Sequence, residues 1–213
     1  VFPLDAHACL ECGLIQVPNV IPPDFFRDYV YVPSASDTMH AHFADLAAFV
    51  RTTLAPESAD LVVDIGSNDG LLLWKLKQLG GRGLGIEPAT NLATIAQSRG
   101  VEVVNDYFTR DTAARVRAES GPARVITTSN TFNHIDDVHA FMAGVELLLD
   151  VDGTVIIEVP HAGDLIEQNE VDFRIGHHLL RTRPGCGCGA DIARAVLGLP
   201  GEALAHGGDR DEI

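Results

Sequence analysis

Apolar positions recur along this chain in two rhythms. Short apolar runs at 61–65, 83–87, 101–104, 123–128 and 154–159 have the length and β-branched content of buried strands. Between them, 70–79, 91–99, 109–119 and 136–149 carry apolar residues at helical spacing. In the last of these, Val138, Phe141, Met142, Val145, Leu148 and Leu149 form one stripe. A further helix is predicted over 36–54, capped by Ser36 or Asp37, with Met39, Phe43, Leu46, Val50 and Leu54 on one face. Asp150-Val151-Asp152-Gly153 reads as a turn into the final strand. Strand–helix alternation with short links predicts a doubly wound, mostly parallel α/β sheet covered on both faces.

The flanks differ from this centre. Residues 1–35 are irregular and hold Pro3, Pro18, Pro22, Pro23 and Pro33, as in a small appended module. Residues 36–173 form the α/β domain. Residues 174–213 are glycine-rich and lack aromatic side chains, so they read as a tail, the remnant or start of a further domain. The chain has 213 residues and opens on Val1, not Met, so its beginning is expected to lie upstream.

Charge narrows the partners. A net charge of −15 disfavours nucleic acid and anionic membrane surfaces, both of which call for clustered Lys and Arg. No apolar run is long enough to span a bilayer, and the start shows no signal-peptide pattern. Four cysteines fall in two close pairs, 9 with 12 and 186 with 188. Without a secretory signal, this spacing points to metal or free thiols in a cytoplasmic protein rather than to a disulfide framework.

The densest chemistry follows the first strand. Val62-Val63-Asp64-Ile65-Gly66-Ser67-Asn68-Asp69-Gly70 runs a strand into a glycine turn and a helix, and Leu84-Gly85-Ile86-Glu87-Pro88 ends the next strand on an acid. Glycines let a backbone approach a nucleoside, and an acid at that strand end accepts hydrogen bonds from ribose hydroxyls. A dinucleotide site would need G-x-G-x-x-G to seat a pyrophosphate on the helix N-terminus. Here Asp64 and Asp69 flank the turn. Two carboxylates repel a pyrophosphate and suit a cationic ligand with an amino-acid tail, such as S-adenosylmethionine.

Five segments together resemble the sugar C-methyltransferases of deoxysugar biosynthesis, which act on nucleotide-linked 4-keto sugars. They are Cys9-Leu10-Glu11-Cys12-Gly13-Leu14-Ile15-Gln16; Asp28-Tyr29-Val30-Tyr31; the Asp64–Gly70 turn with Gly85–Asn91; Phe132-Asn133-His134-Ile135-Asp136-Asp137; and Ile157-Glu158-Val159-Pro160 with Asp164–Glu170. The resemblance runs from residue 8 to about 173. It implies a zinc-type N-terminal module, a central class I methyltransferase domain and a C-terminal α/β domain. This chain is expected to hold half of the first, all of the second and little of the third.

The resemblance also implies site residues. Asp64, Gly66, Ser67, Asn68 and Gly70 line the methionine end of the donor, and Glu87 takes its ribose. The adenine lies near Asn105-Asp106-Tyr107, with Asn130 beneath the cofactor. His134 and Tyr29 position the sugar, and His178 takes the proton from C3 as general base. The family carries Tyr-His-Glu-His where this chain has Ile175-Gly176-His177-His178, so the hydroxyl and the carboxylate beside that base are absent. Cys9 and Cys12 have the spacing of half a tetrahedral zinc site. Cys186 and Cys188 match no family motif. Capping or packing roles compete for His134, Tyr29, Asn105, Asp106 and Asn130, as do loop roles for His177 and His178. Two alternatives stay open: O- or N-methylation of another small metabolite, and a non-catalytic fragment that binds S-adenosylmethionine.

Overall fold

The computed structural model describes residues 5, 7–8, 10, 15–16, 19–55, 57–160 and 175–180, with 8, 15–16, 160 and 175–180 described as backbone only. Near the start, β1 (His7–Ala8) pairs antiparallel with β2 (Ile15–Gln16). A six-stranded sheet follows. Its strands are β3 (Leu61–Ile65), β4 (Arg82–Ile86), β5 (Glu102–Val104), β6 (Ala123–Ser129), β7 (Leu149–Pro160) and β8 (Ile175–Leu180), in the spatial order β5-β4-β3-β6-β7-β8. Neighbours from β5 to β7 are parallel, and β8 closes the edge antiparallel.

Helices cover both faces. They are α1 (Asp37–Phe49), α2 (Leu71–Gln78), α3 (Thr90–Ser98), α4 (Arg110–Ser120) and α5 (Val138–Leu148). On β3, Val62 packs with α1 and α2 while Val63 and Ile65 pack with α4 and α5. Burial on both faces is why this strand reads as an unbroken apolar run. The period of two puts Asp64 on the α1 side with Val62. Caps start α1, α4 and α5 where the sequence offers oxygens: Ser36 Oγ accepts from Met39 N, Thr109 Oγ1 from Thr112 N, and Asp137 Oδ1 from Ala140 N.

The structure departs from the sequence reading at three places. The helix expected over 36–54 changes to a π turn at Val50–Leu54, where Ala55 N donates to Val50 O at 2.8 Å. Ala55 precedes Pro56 and adopts φ −130°, outside the helical region a pre-proline residue avoids. Residues 150–153 do not separate α5 from its strand. They lie within β7, where five residue steps from Leu149 to Thr154 answer two from Ala123 to Val125, so the surplus is taken up as an irregularity. The segment 175–180, read as tail, is the strand β8, with His177 opposite Glu158 and His178 opposite Ile157. Both cysteine pairs lie outside the described residues.

The chain winds from β3 outward to β5 and then returns to β6 on the other side of β3. That reversal opens a crevice at the carboxyl ends of β3 and β6. Among the described residues, no helix is long and apolar enough to cross a membrane.

Candidate active site

The turn after β3 is built by backbone geometry. Gly66 and Gly70 both have φ +73°. A Cβ on Gly66 would collide with Thr131 Oγ1, and one on Gly70 would sit 2.7 Å from Ala96 Cβ in α3. Gly66 N donates to Ile86 O at 2.8 Å, which ties the turn to the end of β4. Asn68 also has a left-handed backbone, φ +52°, at a residue type that tolerates it. Its N donates to Glu87 Oε2 at 2.8 Å, and Ala89 N donates to Glu87 Oε1 at 2.8 Å. Two main-chain donors thus aim the Glu87 carboxylate, and each oxygen keeps a lone pair for a ligand.

Three acids share the region below the crevice. Asp64 accepts from Thr127 Oγ1 at 2.7 Å. Burial pushes its carboxyl up to about 7; the Thr127 bond opposes that rise, and the charges of Glu87 and Glu158 add to it. Glu87 is raised chiefly by burial, with the Ala89 and Asn68 bonds opposing. Glu158 is 1% exposed; it accepts from Ser129 Oγ at 3.0 Å and pairs with His42 Nε2 at 2.9 Å. The hydrogen bond to Glu158 raises His42 above its ordinary value despite partial burial.

Over the crevice lies a cavity of about 580 Å³. Its floor is Asp64, Gly66, Ser67, Asn68, Asp69 and Glu87, and Asn130 closes one side. Ser67 Oγ and Asn130 Oδ1 are buried without a hydrogen-bond partner among the described residues, and the Ser67 hydroxyl is packed where a Cβ on Gly85 would collide with it. Asn130 holds φ +55° while its N donates to Glu158 O at 2.8 Å. The roof comes from residues 19–35. Its 3-10 helix Pro23–Arg27 brings Phe26 to the cavity, 5.8 Å between ring centroids from His134. Tyr29 and Tyr31 complete that wall. His134 ends the 3-10 turn Phe132–His134 on the rim, where desolvation lowers its pKa and favours the neutral ring.

Among the predicted site residues, Tyr29, Asp64, Gly66, Ser67, Asn68, Glu87, Asn130 and His134 face this one cavity. Gly70, Asn105 and Asp106 stand behind its wall. Gly70 starts α2, and Asn105 Nδ2 donates to Glu87 O at 2.8 Å. Asp106 accepts from Tyr107 N at 2.8 Å. His178 lies in β8, two strands from Ser129 of β6, and its backbone is level with Ile157. Cys9 and Cys12 lie outside the described residues, and among the described residues no group of three or more His, Cys, Asp or Glu could hold a metal ion. The sequence reading missed Phe26 and placed Tyr107 only beside the adenine. Tyr107 lines the cavity, bonds to Pro23 O through its hydroxyl, and carries the Arg27 guanidinium 4.9 Å above its ring.

A family model described as a methyltransferase domain matches residues 39–188. The C-methyltransferase NovU of Streptomyces niveus is 36% identical over 179 residues, which is 84% of this chain and 43% of that protein. The chain thus spans less than half the length of the curated relative it matches. Among solved structures, the plantazolicin methyltransferase BpumL in complex with SAH aligns with TM-score 0.52 at 13% identity, over 67% of this chain and 56% of that chain. The plantazolicin methyltransferase BamL, in complex with a triazolic desmethylPZN analog and SAH, aligns with TM-score 0.50 at 16% identity, over 67% and 55%. At these identities the two structures establish the fold. With the glycine turn, the held acid after β4 and the family match together, the chain belongs to the methyltransferase-domain family and has its class I, Rossmann-like fold.

Proposed function

We propose that this methyltransferase transfers a methyl group to C3 of a nucleotide-linked 4-keto deoxysugar. The observation that carries the reading is the sharing of one cavity. Glu87, aimed by two backbone N–H groups, faces the same space as His134 and Tyr29. The five motif segments support the sugar, and the 36% identity to a protein named a C-methyltransferase supports the carbon acceptor.

The residues present fit the donor. Glu87, joined by Asp64 once that carboxyl is ionised, gives the floor an acidic field suited to a cation, while the charge of Asp69 is met by Arg99. Asn130 Oδ1, unpartnered at the side of the cavity, is the acceptor offered to an ammonium group. When bound, S-adenosylmethionine supplies an electrophilic methyl group on a sulfonium, which an acceptor carbanion takes.

Making that carbanion requires removal of the proton beside the ketone. The resemblance gives this role to His178. The described geometry favours His134, which lines the cavity and is kept neutral by desolvation, the form that can accept a proton. Tyr29 and Phe26 hold the sugar against it. The roof and the sheet exclude water from the space between donor and acceptor, so orientation supplies much of the rate. A structural zinc belongs to the same reading, with Cys9 and Cys12 supplying two of its four ligands. The ribbon of β1 and β2 brackets those two positions in the chain.

Incubation of a nucleotide-linked 4-keto-6-deoxysugar with the protein in D2O tests the reaction. Loss of the C3 proton signal is expected even without methyl transfer, and loss of that exchange in His134→Asn but not in His178→Asn places the base on the rim. Donor binding with no exchange in the unmodified protein would instead favour O- or N-methylation or a non-catalytic binder.

A further inference from the structure

The roof over the cavity is held at one critical stretch by the donor site itself. Residues 19–35 contribute no strand to the large sheet. At Val30 and Tyr31 the roof is 91% and 52% exposed, so apolar burial does little to fix it there. Polar anchors take that role, and they come from the loops that shape the donor subsite.

Asn68 is one anchor. Its backbone N–H holds Glu87 Oε2, while its side-chain Nδ2 donates to Tyr31 O at 3.1 Å. The left-handed backbone makes both bonds available from one residue. Asn91, in the first turn of α3 just beyond Glu87–Ala89, is the other. Its Oδ1 accepts from Tyr29 N at 3.2 Å and its Nδ2 donates to Tyr29 O at 2.8 Å. The main chain on both sides of Val30 is therefore bonded to the turn after β3 and to the start of α3.

We propose that Asn68 and Asn91 are positioning residues that couple donor occupancy to the placement of Tyr29–Tyr31, so that donor binding steadies an acceptor wall already bonded to the donor loops. A ligand that bonds the remaining lone pairs of Glu87 restrains its carboxylate, which restrains Asn68 and the residues leading into α3. Both restraints end on the roof. The inference rests on the reading that the donor occupies the Glu87 side of the cavity and that Tyr29 faces the acceptor.

Hydrogen–deuterium exchange of the whole chain, with and without saturating S-adenosylhomocysteine, tests this without any acceptor. The ligand is expected to slow amide exchange in peptides covering 23–35, Tyr29 N–H included, by about tenfold in the unmodified protein. In Asn91→Ala that slowing falls to about twofold or less, while the ligand's affinity and its protection of the turn after β3 persist. Asn68→Gly keeps the positive φ and the backbone donor, and it loses the roof protection even at saturation. Equal roof protection in both variants, or protection of the donor turn alone in the unmodified chain, overturns the coupling. Absence of any ligand binding fails the donor reading as well and so is distinguishable from failure of the coupling alone.

Discussion

Thr127 Oγ1 donates to Asp64 Oδ1 across 2.7 Å, joining β6 to β3 beneath the floor of the cavity. The bond favours the charged carboxylate, but burial outweighs it and leaves the Asp64 carboxyl at about 7 against an ordinary value of 3.8. The folded state therefore holds a proton that the unfolded state releases between those two values. Stability must fall as pH rises from about 4 to about 7 on account of this group. Asp64→Asn keeps an acceptor for Thr127 and removes the titration. Urea unfolding at pH 4.5 and 7.5 should show the variant gaining on the unmodified protein at the higher pH, with little difference at the lower.

The His42–Glu158 pair has the opposite sign. His42 is raised by its bond to Glu158, so its contribution is fully present below the unfolded value near 6.5 and is lost as pH rises through the raised folded value. Glu158 is buried, and removing its partner leaves a carboxylate short of a bond. His42→Ala is expected to cost about 1–3 kcal/mol at pH 6. The gap from the unmodified protein should narrow toward pH 9, as read from denaturation midpoints across that range.

Asp69 is wholly buried, and Arg99 reaches it with Nη1 at 3.0 Å. The same guanidinium donates to Ser34 Oγ at 2.7 Å. Arg99→Ala strands the acid and frees one end of the roof. The expected loss is about 3 kcal/mol of stability, the scale for breaking a buried pair from one side. Chemical denaturation at pH 7 checks it.

Gly66→Ala meets both a positive φ and the side chain of Thr131. Left-handed backbone costs an alanine about 1 kcal/mol, and forced overpacking adds about 1–3 kcal/mol. The variant should unfold at lower urea and lose donor affinity. Alanine at Gly80 shares the positive φ but meets nothing within 4 Å, so it isolates the backbone cost.

Local signals made the fold legible. Leu61–Ile65 coincides with the predicted strand because burial on both faces writes itself as a continuous apolar run. The stripe from Val138 to Leu148 marked α5 equally well, with Phe141, Met142, Val145 and Leu148 all buried. The glycine turn was readable because positive φ and close neighbours at Gly66 and Gly70 favour that residue type. What escaped is non-local. His42 meets Glu158 across 116 positions of sequence, and no periodicity announces such a pair. Phe26 reaches the cavity on a 3-10 turn that Pro22 and Pro23 hinted at but did not aim. Asn105 sits where an adenine contact was expected, yet its side chain is spent on Glu87 O and Thr90 Oγ1. The strand at 175–180 was hidden because it pairs only at the edge, beside β7, within a stretch whose composition reads as tail.

On the proposed function, the acidic crevice takes a methyl donor and not a redox dinucleotide. Calorimetric titration of the protein with S-adenosylhomocysteine and, separately, with NAD measures it directly. The account predicts saturable binding of the first at about micromolar affinity, weakened at least about tenfold by Glu87→Ala, and no binding of the second. Uptake of NAD with comparable affinity, or indifference of S-adenosylhomocysteine binding to Glu87, contradicts it.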